Sequence, residues 1–404
     1  HGDVIAQGIY NGLEKEAGDY KYVASIGNRF LNDKLGVLAQ LDIENRNRSS
    51  HNLGAIYDNA PANLDSINSL KLLNMSLTDI NRNNDRSNNL FVVDYNIPRG
   101  NISYTGLNSK IEKDEIYRTD RYPVTTDTRY YDTGDGESEI EIITETWKYE
   151  QNILPNLKLE LYKSFSSSGN RKKLNVFQAE KRWGYGELIE SSSGEMDSTV
   201  IVNAQNRSIE TIQNFILPWN KGDRRAHFLR YDNNQSYTDE KENTIGMDMK
   251  FDFKISDQIS GNIKFGTKSK TKKRRHNQDY QYAYFGYVAV QDKRDSTIKH
   301  FDWLSESVPL GTINPSYGVF IDYDYNTSQI LDGQYTIGPF LDLDKGSQLH
   351  DFWSGDAFFN TAPYHEQIMH HKHKTQSKIY DYWGEEEYTA KYIMSDLNIG
   401  SKLN

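Results

Sequence analysis

The chain has 404 residues, a net charge of −10 and a mean hydropathy of −0.79, yet it carries 28 Tyr, 16 Phe and 6 Trp. The acidic balance speaks against a nucleic-acid partner, whose footprint on a protein is basic, and the aromatic load is too high for a disordered chain. Cysteine is absent, which excludes disulfide frameworks and thiolate metal sites and fits an oxidising compartment; no run approaches the about 18 apolar residues of a membrane-crossing helix, which leaves membrane-crossing strands open.

The chain opens on His1 and closes on Asn404 directly after a strand-like segment, so it reads as an excerpt. Between these ends period-two alternation recurs and helical periodicity is nearly absent. Ten strands are predicted, near 3–12, 19–29, 34–46, 87–97, 101–112, 138–152, 157–167, 243–255, 260–274 and 384–399. Leu35, Val37, Ala39, Leu41 and Ile43 alternate with Gly36, Leu38, Gln40, Asp42 and Glu44. Phe91, Val93, Tyr95 and Ile97 do the same, and Leu157, Leu159 and Leu161 oppose Lys158, Glu160 and Tyr162. The clearest case is Met247, Met249, Phe251 and Phe253 against Asp248, Lys250 and Asp252. A strand sends alternate side chains to opposite faces, so one face is expected to meet lipid and the other a polar lumen.

The links alternate in length. Short ones fall at Arg29–Asp33, Pro98–Gly100, Asn152–Asn156 and Ser256–Ile259; long ones are expected at about 48–86, 114–136, 169–240 and 276–383. Short turns at one rim and long loops at the other are the layout of outer-membrane barrels. A soluble β-sandwich also alternates, but typical soluble strands of about 5–6 residues are shorter than these.

Three stretches resemble TonB-dependent outer-membrane receptors of the Bacteroidota type. They are Gly18–Asp58 (GDYKYVASIGNRFLNDKLGVLAQLDIENRNRSSHNLGAIYD), Ile245–Phe265 with KFDFKISDQISGNIKFG, and Tyr388–Leu403 with TAKYIMSDLNIGSKL. The resemblance implies an all-β antiparallel meander over residues 1–404, about half of a 22-stranded transmembrane barrel with long extracellular loops. It further implies a lumen filled by an N-terminal plug that the TonB complex pulls to admit a ligand held at the outer loops. The plug, the TonB box and the later strands are not in this sequence, so coupling to TonB would pass through the missing plug. The expected localisation is the outer membrane of a Gram-negative bacterium, with membrane lipid and lipopolysaccharide as neighbours. Siderophore, cobalamin, oligosaccharide and peptide all remain open as imported ligand.

Candidate sites follow from this layout. The longest loop, about 276–383, is rich in aromatics, and Trp303, Tyr317, Tyr323, Tyr325, Tyr335 and Trp353 are the candidates for stacking on ligand. The basic run Lys268, Lys270, Lys272, Lys273, Arg274 and Arg275 lies near the loop end of the ninth strand and is the candidate for lipopolysaccharide contact. His365, His370, His371 and His373 lack the spacing of a metal site, and the twelfth position of a calcium loop starting at Asp342 is Trp353 where a Glu is required. No metal and no cofactor is expected. With no G-x-S-x-G, Walker or G-x-G-x-x-G motif, no enzymatic activity is expected either. The rival readings are a general porin and a soluble secreted β-rich protein that binds polysaccharide.

Overall fold

The structure, a computed structural model, describes residues 1–59, 70–123, 128–182, 226–256, 258–286, 291–325, 330–354, 359–360 and 370–400. Tight turns at one end of the strands order it. Leu31–Lys34 turns through Leu31, Asn32 and Asp33, all at positive φ, a conformation that Asn and Asp tolerate best among residues other than Gly. Arg29 braces this turn, donating to the Asp33 carbonyl at 2.9 Å and to Asp94 at 2.8 Å. Pro98 and Pro155 begin the turns Pro98–Arg99 and Pro155–Asn156, where a fixed φ suits the second position of a β-turn.

Between the turns run β1 (Gly2–Asn11), β2 (Glu16–Phe30), β3 (Leu35–Asn47), β4 (Ser50–Asn59), β5 (Leu70–Ile97), β6 (Gly100–Pro123), β7 (Thr128–Leu154), β8 (Leu157–Arg182), β9 (Ala226–Ser256) and β10 (Ile259–Tyr284). Two short strands, β11 (Phe359–Asn360) and β12 (His370–Lys372), precede β13 (Tyr382–Ile399). All belong to one 13-stranded sheet in which the long strands pair antiparallel, β4 continuing where β3 stops along β5 and β12 continuing where β13 stops along β10, while the two-residue β11 lies parallel to β12. The expected all-β antiparallel meander is present, with each of the ten expected strands. The sheet is open among the described residues, β1 pairing only with β2 and β13 only with β10.

Register fixes what each face carries. Ile26, Ala39, Phe91 and Gly106 lie in one row, and so do Tyr149, Leu161, Met247 and Thr267. Together with Val4, Trp147, Ile245, Phe265 and Ile393 they make a mainly apolar band across the sheet, next to the tight turns, with Glu145, Lys163 and Lys391 as charged interruptions on the same face. From Leu35 to Ile43 it is roughly 26 Å along the strand. The band is uncovered: Ile26 is 68% and Ile245 60% exposed. On the other face, charges pair across strands, Lys21 with Asp42 at 3.3 Å, Lys148 with Glu160 at 3.1 Å and Lys264 with Asp248 at 3.6 Å. There the side chains of Asp42 and Glu44 are only 16% and 12% exposed.

The strands run much further than the alternation does. β9 has 31 residues and β5 has 28, so the expected loops at 48–86 and 114–136 are mostly strand, as are the flanks of 169–240. Beyond the band neither face is wholly apolar, so the period-two signal fades while backbone pairing continues. What remains of those links, 60–69, 124–127 and 183–225, lies outside the described residues.

The connection after β10 folds into a cap. It holds α1 (Gln291–His300), α2 (Asp302–Ser305), a 3-10 turn at Tyr317–Phe320 and α3 (Leu343–Trp353), with α4 (Lys374–Ile379) leading back into β13. Its core of Ile298, Leu304, Phe320, Phe340, Leu349 and Trp353 closes over Leu77, Tyr131, Phe177, Phe228, Tyr231 and Ala283. Counting alternate residues back along each strand places these sheet positions on the same face as the apolar band, beyond its end, with Phe228 returned to that face by a bulge opposite Gln178 and Ala179.

A buried ion pair clamps the cap down. Arg129 is 2% and Asp120 0% exposed, and Arg129 Nε donates to Asp120 at 2.7 Å. The same carboxylate accepts from Tyr122 Oη at 2.9 Å and from the cap's Gly338 N at 3.1 Å, while Leu341 N donates to Thr133 at 3.2 Å. Arg129→Met leaves Asp120 buried without a counter-ion, a loss of about 3–5 kcal/mol. Limited proteolysis is then expected to cut within 291–353 far faster than in the parent chain while the band strands survive; unchanged cleavage would refute the clamp.

Candidate ligand site on the polar face

Of the six aromatics singled out in the sequence, three are core. Trp353 is fully buried, stacked at 6.1 Å on Phe228 with its Nε1 donating to Thr297 at 3.2 Å. Tyr317 stacks at 6.0 Å on Tyr131, and Tyr335 is 8% exposed. Trp303 is half-buried and donates to Gln348 at 3.1 Å, with Lys345 over its ring. Tyr325 donates to Asp79 at 2.7 Å beneath Arg118. Tyr323 alone is open, at 77%. The six do not converge, and Trp353, Tyr317 and Tyr335 present no surface to a ligand. A cap must build its own core, and its aromatics supply it.

The basic run is also divided, by strand alternation. Lys268, Lys270, Lys272 and Arg274 lie on the polar face, where Lys270 pairs with Glu242 at 2.7 Å and Lys272 with Glu240 at 2.9 Å. Only Lys273 and Arg275 share the face of the apolar band, and Lys273 is held by Glu385 at 2.9 Å. Six-fold contact with one lipid surface is therefore ruled out by geometry. His373 caps α4, His370 and His371 belong to β12, and His365 lies outside the described residues. Asp342 caps α3, and Asp322 accepts from the backbone N of Asp324 and Tyr325. These acids serve local backbone donors.

A different constellation occupies the far end of the polar face. Tyr280, Tyr282 and Tyr284 alternate along the last turnless stretch of β10, so all three point to one side, with successive ring centres 6.2 and 5.6 Å apart. Opposite them on β9, Arg230 sits 5.6 and 5.4 Å from the rings of Tyr282 and Tyr284 and donates to Asp232 at 2.6 Å. Tyr280 Oη bonds both Asp232 and Arg230. On the adjoining β8, Gln178 is in register with Arg230 and donates to Asp132 of β7 at 2.8 Å. Arg121 reaches Asp132 at 3.5 Å and covers the ring of Tyr130 at 4.4 Å. The array crosses β6 to β10, about 19 Å at the usual strand spacing.

Its electrostatics are balanced. Burial would discharge Arg230, but Asp232 outweighs it and holds the guanidinium's pKa above its ordinary value. Burial, then the neighbouring Asp232, pushes the Tyr280 phenol up. Burial also raises the Asp132 carboxyl despite Gln178 and Arg121. Two arginines face two carboxylates, so the surface is neutral, planar and rich in donors and acceptors. Tyrosine faces stack on rings or sugars, and guanidinium and carboxylate groups bond hydroxyl or amide edges. The alternation of Tyr280, Tyr282 and Tyr284 against Gln281, Ala283 and Phe285 was the signal in the sequence, hidden because these residues were assigned to a loop. No family model, no curated protein and no solved structure matches the chain.

A carboxyl whose folded pKa is raised costs stability when ionised, and that cost is relieved as pH falls through the folded value. Asp132→Asn keeps an acceptor for Gln178 without the buried charge. It is expected to raise the melting temperature at pH 7, with the gain shrinking as the pH drops into the carboxyl range. A lower melting temperature at pH 7 would mean that Arg121 outweighs burial.

Proposed function

We propose that the chain forms part of an outer-membrane β-barrel receptor that captures a ligand outside a Gram-negative cell for TonB-driven import. The observation that carries this reading is the apolar band. It crosses ten strands, stays uncovered and faces no second sheet among the described residues, while the opposite face is lined by paired charges. A soluble sandwich would bury such a face between two sheets. A contiguous uncovered apolar belt of this extent needs a partner, and its length along the strand suits a tilted strand crossing an outward band about 25 Å tall.

The remaining features fit the same plan. Tight turns lie at one end, as at a periplasmic rim; the cap and the long strand extensions lie at the other, together with the short β1–β2 turn at 12–15. The single-partner edges of β1 and β13 would be costly in lipid, where each unpaired backbone group costs several kcal/mol, so further strands are proposed to close the barrel toward 22. The sequence likeness of Gly18–Asp58, Ile245–Phe265 and Tyr388–Leu403 to TonB-dependent receptors supports import over a passive porin. In this frame the polar face lines the lumen, and the array around Tyr282 and Arg230 stands at its outer mouth. Coupling to the TonB complex would pass through a plug.

Met249 lies within the band and Lys250 on the opposite face. Met249→Arg is expected to block insertion, since a cation at the lipid midplane costs about 2–4 kcal/mol, whereas Lys250→Met should assemble. Fractionation with heat-modifiable gel mobility reads both. Recovery of the parent protein in the soluble fraction without detergent would overturn the membrane reading.

A further inference from the structure

A cleft of about 710 Å³ opens on the band-bearing face where the cap meets β4, β5 and β6 and the β1–β2 turn. That volume is in the range of small-molecule sites. His51, Asp79 and Arg118 form one row across the three strands by register. Asp79 lies eight residues along β5 from Ser87, which is level with Ile43 at the end of the band, or roughly 26 Å further from the turns.

The row is preset. Tyr325 of the cap donates to Asp79 at 2.7 Å, and His51 Nδ1 accepts from Leu331 N at 3.1 Å. Arg118 stacks 4.4 Å from the Tyr325 ring centre and reaches Asp322 at 3.7 Å. Its side chain is 13% exposed, and its Nε is buried with no hydrogen-bond partner among the described residues. A buried donor left unpaired is costly, and a ligand acceptor would satisfy it. At the mouth stand Asp324 and Lys15.

Charge selects the ligand class. Glu14, Asp79, Asp324 and Asp332 outnumber Lys15 and Arg118 around the cleft, so phosphates and other anions are disfavoured. Carboxylates accept from hydroxyls, Lys15 and Arg118 donate to ring and hydroxyl oxygens, and the half-buried Tyr325 supplies apolar contact. We propose that this cleft binds a neutral saccharide, distinct from the ligand at the polar face. That it looks sideways toward the sugars of an outer-leaflet glycolipid rests on the membrane-spanning reading; the cleft's chemistry does not.

Titration calorimetry of the protein extracted in detergent tests this. The probes are the neutral hexose oligosaccharide of the outer lipopolysaccharide core, maltotriose, and inorganic phosphate. Saccharide binding is expected, weakened about tenfold by Asp324→Ala and by Lys15→Gln, the loss of one hydrogen bond to a charged group. Both positions are exposed, so the melting temperature should not move. Preference for the core oligosaccharide names the membrane's glycolipid as source, and equal binding of maltotriose names a free sugar; both uphold the saccharide class. Silence with both sugars, affinity unchanged in both variants, or tighter binding of phosphate would overturn it. If the sugars bind but the protein fractionates as soluble, the membrane reading falls and the cleft stands.

Discussion

The structure depends on one constraint, that a strand sends alternate side chains to opposite faces while its backbone groups bond only sideways. Ten strands obey it in a common register, so a single choice, apolar residues on one side, recurs from Val4 to Ile393, interrupted on that face by Glu145, Lys163 and Lys391. A one-residue slip in any strand would exchange its faces and set charges such as Asp248 and Lys250 into the apolar band. Cross-strand ion pairs hold the register from the other side. Lys148 reaches both Glu150 on its own strand and Glu160 on the next, which it can do in one alignment only. Glycine adds a second lock. A Cβ on Gly246 would collide with the ring of Tyr162, and one on Gly134 with the ring of Tyr117; each tyrosine lies over a neighbouring strand's glycine and fixes their relative position.

Where the band ends, a different economy takes over. The extended strands hold no apolar face of their own except near the far rim, and there the cap provides the cover. Its attachment is partly apolar, through Phe228, Phe177 and Trp353, and partly the Arg129–Asp120 clamp. The apolar part tolerates sliding; the clamp does not, because Asp120 must meet Arg129, Tyr122 and Gly338 N together. A buried pair of this kind is weak evidence for stability. Its value is specific placement, which for a long loop on a flat sheet is the harder requirement.

These two regimes explain what was legible in the sequence. Within the band, burial on one side and polar surroundings on the other write the period-two pattern directly, and Leu35 to Ile43 or Met247 to Phe253 could be read unaided. The turns were equally plain, because Pro98, Asn32 and Asp33 have local conformational preferences. Beyond the band the pattern vanished, although Asn81 to Ser87 and Lys110 to Arg118 are as fully paired as any residues in the sheet. Pairing alone leaves no trace in residue type. For the same reason Tyr280, Tyr282 and Tyr284 were counted as loop aromatics, and the six lysines and arginines from Lys268 to Arg275 as one patch. Trp353 and Tyr317 were unreadable for another reason, since a cap without periodicity does not announce which rings turn inward.

The placement of the cap bears on how the proposed receptor would admit a ligand. Loops above a lumen are obvious candidates for lids, and the longest connection here would be the first suspect. Yet the cap's contacts at Tyr131, Phe177, Phe228 and Ala283 all fall on the band-bearing face, so in the barrel reading it flanks the wall. The tyrosine and arginine array on the opposite face is then reached from the lumen mouth with the clamp closed. Arg121, Asp132, Arg230 and Asp232 already satisfy one another there, and a ligand would exchange some of those bonds for its own. Such an exchange costs little reorganisation, because strands braced on both sides by paired neighbours hold the side chains that make it.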